Sequence, residues 1–300
     1  MIRQLTWRLA LSAVALSVLA VSSLPVDVAS ARAAKPTGNQ SCGPNIYKQD
    51  GQAWRCTFAD DFSGSSLDTR KWFVQETANS GFGVGGECFV KSRNNVSVGG
   101  GSLRLTARRE PNPFTCASPG ASYTTQYTSG SVSTYGLFAQ AYGRFEIRAR
   151  FPAAKVAGLQ SALWLWPANP SKYGAWPMSG EIDIAEEYSQ YSDRVIPYIH
   201  YISTDLSAQH TNTACLINDV SAPHTYVAEW TASTITISYD GVTCLKHTIS
   251  PAAPLTGSAP FDQPFIVALT QALGVGNNAF DPSSTPLPAT TQVDYVHVWS

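Results

Sequence analysis

The sequence predicts an all-β domain, a sandwich or a barrel, on three observations. Short runs alternate polar and apolar residues, as in Arg144-Phe145-Glu146-Ile147-Arg148-Ala149-Arg150 and Tyr198-Ile199-His200-Tyr201. Glycine (22 residues), proline (19) and Asp-Gly pairs such as Asp240-Gly241 punctuate these runs at turn spacing. Only 14% of residues are charged while Ser, Thr, Gly and aromatics abound, the profile of an exported β protein with polar, uncharged turns.

Residues 1–34 read as a secretory signal peptide rather than as fold. Arg3 and Arg8 form a positive start, Leu9 to Leu24 is apolar, and Ala31-Arg32-Ala33 offers a cleavage site. An uncleaved anchor is the alternative; no other stretch is long and apolar enough to cross a bilayer. The remaining length suits one large all-β domain. A net charge of −1 leaves no basic field for nucleic acid. A monomer suffices.

Six cysteines follow the leader, an even count that reads as three disulfides in an exported chain. Fifteen pairings are formally open. Joining sequence neighbours is the simplest: Cys42–Cys56, Cys88–Cys116 and Cys215–Cys244, each worth roughly 3 kcal/mol in chain-entropy terms. The spacings match no zinc pattern. Residues 35–53 are a polar arm tied down by Cys42, and the domain proper spans 54–300.

The chemistry concentrates in Ser179-Gly180-Glu181-Ile182-Asp183-Ile184-Ala185-Glu186-Glu187. On a strand, Glu181 and Asp183 share one face while Ile182 and Ile184 take the other. Strict alternation would put Glu187, not Glu186, on the Glu181 face, about 20 Å away along the backbone and too far to share a bond. A β-bulge at Ile184-Ala185 turns Glu186 to that face instead, at about four effective steps. Four steps are about 13 Å, and two inward-leaning side chains reduce this to about 6 Å, near the ~5–5.5 Å carboxyl spacing of a retaining glycosidase. The competing readings are a solvated acidic edge strand and a carboxylate metal site, though no aspartate-rich loop with a turn glycine accompanies the stretch.

Trp176-Pro177-Met178-Ser179-Gly180-Glu181-Ile182-Asp183-Ile184-Ala185-Glu186 resembles the signature of the family 16 glycoside hydrolases, in the bulged form of the laminarinase-like branch. Further stretches carry the same likeness: Asp60-Asp61-Phe62, Leu67 to Trp72, Asn95 to Ala107, Gly143-Arg144-Phe145-Glu146, Glu229-Trp230-Thr231 and Val293 to Trp299. The resemblance implies a β-jelly-roll sandwich of two antiparallel sheets with an open concave cleft, and a secreted endo-acting hydrolase of β-1,3-glucan. Glu181 would be the nucleophile, Glu186 the acid/base, and Asp183 the group between them, with one carboxyl, Glu186 by role, kept protonated near neutral pH. This chemistry requires no cofactor. Relatives acting on mixed-linkage glucan or a galactan, transglycosylases, and a non-catalytic glucan-binding module are the alternatives.

Four residues are expected to touch sugar. Trp164 alternates with Ala162 and Trp166 on one face, Trp176 enters the acidic strand, His200 follows on the next strand, and Gln271 stands where the family carries a polar cleft residue. The family's Trp-Pro is replaced by Gln160-Ser161. Glu87, after a glycine-rich stretch, is a further rim candidate. Some family members bind calcium on the convex side, and the corresponding positions are Asp61, Gly101 and Asp294, with Asp61 shorter than the usual Glu. Residues 110–128 read as a Pro- and Ser-rich loop, and Thr134–Phe138 as a strand.

Overall fold

The computed structural model describes residues 41–205 and 210–300; the predicted leader lies outside them. Strands dominate. In chain order they are β1 (Cys56–Asp60), β2 (Phe73–Val74), β3 (Cys88–Phe89), β4 (Val96–Val98), β5 (Leu103–Cys116), β6 (Tyr123–Ser133), β7 (Gly143–Arg150), β8 (Leu159–Pro167), β9 (Glu181–Tyr188), β10 (Ile196–His200), β11 (His224–Trp230), β12 (Thr234–Tyr239), β13 (Val242–Thr248), β14 (Phe265–Leu273) and β15 (Ala289–Trp299).

One face of the sandwich is the sheet β10-β9-β8-β14-β6, with β2 laid along β6; the other is β5-β15-β7-β11-β12-β13, with β1 on β15 and β4 on β5. The β5–β6 hairpin joins the two. Leu103–Ala107 ladders with β15, Arg108–Cys116 with β6, and Gly130–Ser133 with β14. The architecture is the all-β jelly-roll sandwich that the sequence predicts.

Period-two alternation decides which side chains fill the space between the sheets. From the first sheet come Leu163, Leu165, Ile182, Ile184, Val267 and Leu269, and from the second Leu103, Leu105, Phe145, Ile147, Val296 and Val298; all are nearly or fully buried. The outward residues of β7 pair with one another or with neighbouring strands: Arg144 with Glu146 and Glu229, and Arg148 and Arg150 with Asp294. All three neighbour disulfides are present, Cys42–Cys56, Cys88–Cys116 and Cys215–Cys244. The first ties residues 41–53, which carry a bridge between Tyr47 and Ala53, to β1.

Two expectations are corrected. Residues 110–128 are mostly not a loop, because β5 continues to Cys116 and β6 begins at Tyr123. The prolines at 111 and 113 are accommodated at a register shift between Arg109 and Phe114, where a missing amide costs no ladder bond. Thr134–Phe138 is a turn, not a strand: Gly136 takes φ +70°, and the Leu137 and Phe138 amides donate to the Thr134 carbonyl.

Candidate active site

The acidic stretch forms β9, and its register contains the bulge. Against β8, Ile182 lies opposite Leu165 and Asp183 opposite Trp164, but Ala185 is opposite Leu163 and Glu186 opposite Ala162. Ile184 is therefore the extra residue. The other neighbour records the same skip, with Tyr198 opposite Asp183 and Ile196 opposite Glu186. Beyond the bulge the parity is inverted. Glu186 joins Glu181 and Asp183 on the outer face, while Glu187 turns inward, fully buried, with Ser161 Oγ 3.3 Å from its Oε2.

The chain enters β9 through Gly180, at φ +84°. A Cβ there would lie 2.7 Å from the Pro260 ring, so backbone angle and close packing both demand glycine. The loop before it delivers Trp176, whose indole Nε1 donates to Glu181 Oε2 at 2.6 Å. On β10, His200 Nε2 lies 3.1 Å from Asp183 Oδ2, and the imidazole stacks on Tyr198 with centroids 4.0 Å apart. On β8, Gln160 shares the face of Ala162 and Trp164, and its amide donates to Glu186 Oε1 at 2.9 Å. Tyr188 bonds the same carboxyl.

Burial and mutual repulsion govern the charges. Desolvation, then the charge of Asp183, pushes Glu181 up to about 9. Burial and the charge of Glu186 hold Asp183 well above the ordinary range, although its hydrogen bond with Glu181 opposes this. Glu186 is raised by burial, with Tyr188, Gln160 and His200 pulling the other way. The upward shift is thus spread over all three carboxyls rather than held by Glu186 alone, because burial raises each of them and Glu186 has two neutral donors, Gln160 and Tyr188, that pull it back down. Burial lowers His200, so the cluster has no strong cation to neutralise it and retains protons at neutral pH.

A cleft of about 800 Å3 opens beside Glu181. Trp164, Trp166 and Trp176 line it, with Phe82 from the glycine-rich loop stacked near Trp164 at a centroid distance of 6.2 Å. Its floor is small: Ser131, Ser133 and Ala268. The expected residues Trp164, Trp176 and His200 therefore lie at the cleft or against the carboxyls.

Gln271 does not. It is fully buried on the core side of β14, 3.0 Å from Ser161 Oγ and 2.7 Å from Thr291 Oγ1. Its pairing opposite Ser161 fixes this, because Thr270 and Ala268 take the cleft face. Glu87 is fully buried as well and accepts from the Gly85 amide at 2.8 Å; it anchors the loop rather than facing sugar. The calcium positions also do not fit a cation. Asp61 is bonded to His297 at 2.7 Å, and Asp294 is held by the guanidinium groups of Arg148 and Arg150. No cluster of three or more potential ligands occurs among the described residues.

Sequence reasoning missed the role of Gln160, which it noted only as a lost aromatic. The parity of residues 160, 162, 164 and 166 was the available signal. Phe82 and Tyr188 carried none, because their contacts depend on a loop path and on the inverted parity after the bulge.

The fold and site define a class: a jelly-roll sandwich with three carboxyls beside an open, aromatic-lined cleft. Comparison with known proteins agrees. Residues 87–292 match the model for glycosyl hydrolases family 16. A glucan endo-1,3-beta-glucosidase A1 from Niallia circulans is 33% identical over 88% of this chain, which spans only 39% of that relative. A beta-glucanase from Rhodothermus marinus is 32% identical over 82% of this chain and 85% of its own length. The solved laminarinase from the same organism superposes with a TM-score of 0.68 at 29% identity, covering 82% of this chain and 97% of that one. The chain belongs to family 16 of the glycosyl hydrolases.

Proposed function

We propose that the protein is a secreted, retaining endo-glycosidase that cleaves β-1,3-glucan by double displacement. The observation that carries this reading is the bulge at Ile184, which brings Glu181, Asp183 and Glu186 to one face beside the cleft and removes Glu187 from it. The names of the relatives support the substrate class. The disulfides, with the predicted leader, support export.

In the first step the Glu181 carboxylate attacks the anomeric carbon. The new carbon–oxygen bond forms as the glycosidic bond breaks, and Glu186 transfers its proton to the departing sugar oxygen. In the second step Glu186 takes a proton from water, whose oxygen attacks the same carbon and releases Glu181. Asp183 and Glu181 are hydrogen-bonded and share a proton; when it sits on Asp183, Glu181 presents the ionised oxygen that attacks, and three adjacent anions are avoided. Trp176 fixes the carboxyl from the loop side, and Gln160 with Tyr188 orients Glu186. The chemistry asks for no metal or organic cofactor.

Digestion of laminarin, lichenan and agarose with time-resolved product sizing tests the substrate, and proton NMR of the first-formed reducing ends tests the stereochemistry. Internal cleavage of laminarin with β-configured initial products is expected. Release of single sugars from chain ends, α-configured initial products, or laminarin left intact would refute the proposal.

A further inference from the structure

A single row of side chains crosses the cleft-side sheet at right angles to its strands. Asp183 on β9 lies opposite Trp164 on β8, Trp164 opposite Ala268 on β14, Ala268 opposite Ser133 on β6, and Ser133 opposite Phe73 on β2. Four strand spacings of ~4.8 Å make the row about 19 Å long, the span of about four pyranose rings of ~5 Å each. The row is aromatic at Trp164, low at Ala268 and Ser133, and aromatic again at Phe73.

Phe73 is not a core residue. Its strand neighbour Val74 packs inward, which turns Phe73 outward at 39% exposure. Beside it the turn after β6 projects Tyr135, 58% exposed, with ring centroids 6.2 Å apart and planes at 63°. Both rings line the same cleft as Glu181. Scattered exposed aromatics need no explanation, but these two stand together where a row that begins at the acidic cluster ends. A ring left half in water gains when a CH-rich sugar face covers it, while the sugar's hydroxyls and the tyrosine's stay hydrated.

We infer that Phe73 and Tyr135 form a distal sugar platform, which takes the pyranose ring of a β-glucan chain lying about four units along the cleft from Glu181. The inference rests on the glucan-cleaving reading of this cleft. The small floor at Ala268 and Ser133 lets the intervening rings pass, and the platform makes binding depend on chain length.

Calorimetric titration of laminari-oligosaccharides of graded length tests it, in a Glu181→Gln background that removes turnover. The parent should gain about tenfold in affinity at the ring that first reaches Phe73. The Phe73→Ala/Tyr135→Ala variant should lose that gain, and Phe73→Trp should keep it. Both side chains are exposed, so the substitutions spare the core, and matching thermal melts check this. An affinity loss equal at every chain length, or no loss at any, overturns the platform while leaving the glucanase reading intact. A parent that binds no glucan, together with a wild type that leaves laminarin and lichenan uncut, overturns both.

Discussion

The hydroxyl of Tyr239, on β12 of the far sheet, crosses the core to donate to the carbonyl of Ile184 at 2.9 Å. Ile184 is the extra residue of the bulge, with no partner of its own in the register with β8 or β10. Such a buried carbonyl would be costly without a donor. The opposite sheet thus holds the irregularity that sets Glu186. Tyr239→Phe should lower stability by about 1–3 kcal/mol, the cost of a buried unsatisfied group. Turnover should fall as well, by about tenfold, as Glu186 loses its fixed aim. Urea denaturation and kcat measured on the same samples check both; a variant as stable and active as the parent would show that the bulge needs no such support.

Much of this was legible in the sequence because alternation is strict where one sheet face is wet. Alternation puts Glu181 with Asp183, and Trp164 with Ala162 and Trp166, on shared faces; the family resemblance pointed to His200, and the need to bring two glutamates to one bond called for the bulge. What stayed hidden depended on neighbours. Residues 265–273 are apolar almost throughout, so no periodicity says which face Gln271 takes; its pairing with Ser161 decides. Glu87 looks like a rim residue until Gly85 is seen against the Leu273 carbonyl, where a Cβ would sit 2.5 Å away. That approach tucks the carboxyl under the loop. The calcium positions carry acids in sequence, but their partners come from elsewhere in the chain: Arg148 and Arg150 on β7 for Asp294, and His297 on β15 for Asp61.

Gln160 donates to the proposed acid/base. The bond favours the ionised form of Glu186, so Gln160→Leu should raise its pKa further. The alkaline limb of the kcat/KM profile should move upward by about one pH unit, the value of one hydrogen bond to a charged group. A full pH–rate series checks it, and a limb that stays in place or moves downward would exclude the contact from catalysis.

Asp183 acts on Glu181 through charge. Its negative charge is the largest contribution after burial to the rise of the Glu181 carboxyl to about 9. Asp183→Asn removes that charge and should lower the Glu181 pKa, shifting the pH–rate profile toward acid. Peak kcat should fall by about one to two orders of magnitude as the hydrogen bond that orients the nucleophile weakens. An unshifted profile would mean that the two carboxyls do not titrate together.

Glu87 links the cleft loop to pH through stability. Burial pushes its carboxyl up to about 7 from 4.5, so the folded protein binds the proton more tightly than the unfolded chain. The resulting stability is fully present below about pH 4.5 and is lost as pH rises through 7, up to about 3 kcal/mol. Glu187, at about 8, and Glu181 slope in the same direction, so the informative quantity is the difference from a variant. Glu87→Gln should flatten the fall between about pH 4.5 and 7 by that amount in urea titrations. An unchanged slope would mean that the carboxyl is ionised in the folded state.

The most direct test of the central claim compares turnover of laminarin by Glu186→Gln and Glu187→Gln side by side. The two acids are adjacent in sequence, and the bulge alone decides which one meets the substrate. Glu187 is buried and raised to about 8, hence neutral at pH 7 and well mimicked by glutamine. The account predicts that Glu186→Gln loses about a thousandfold or more, within the range expected for removing an acid/base, while Glu187→Gln stays within a few-fold of wild type. The opposite ranking, with Glu187→Gln inactive and Glu186→Gln near normal, would contradict it.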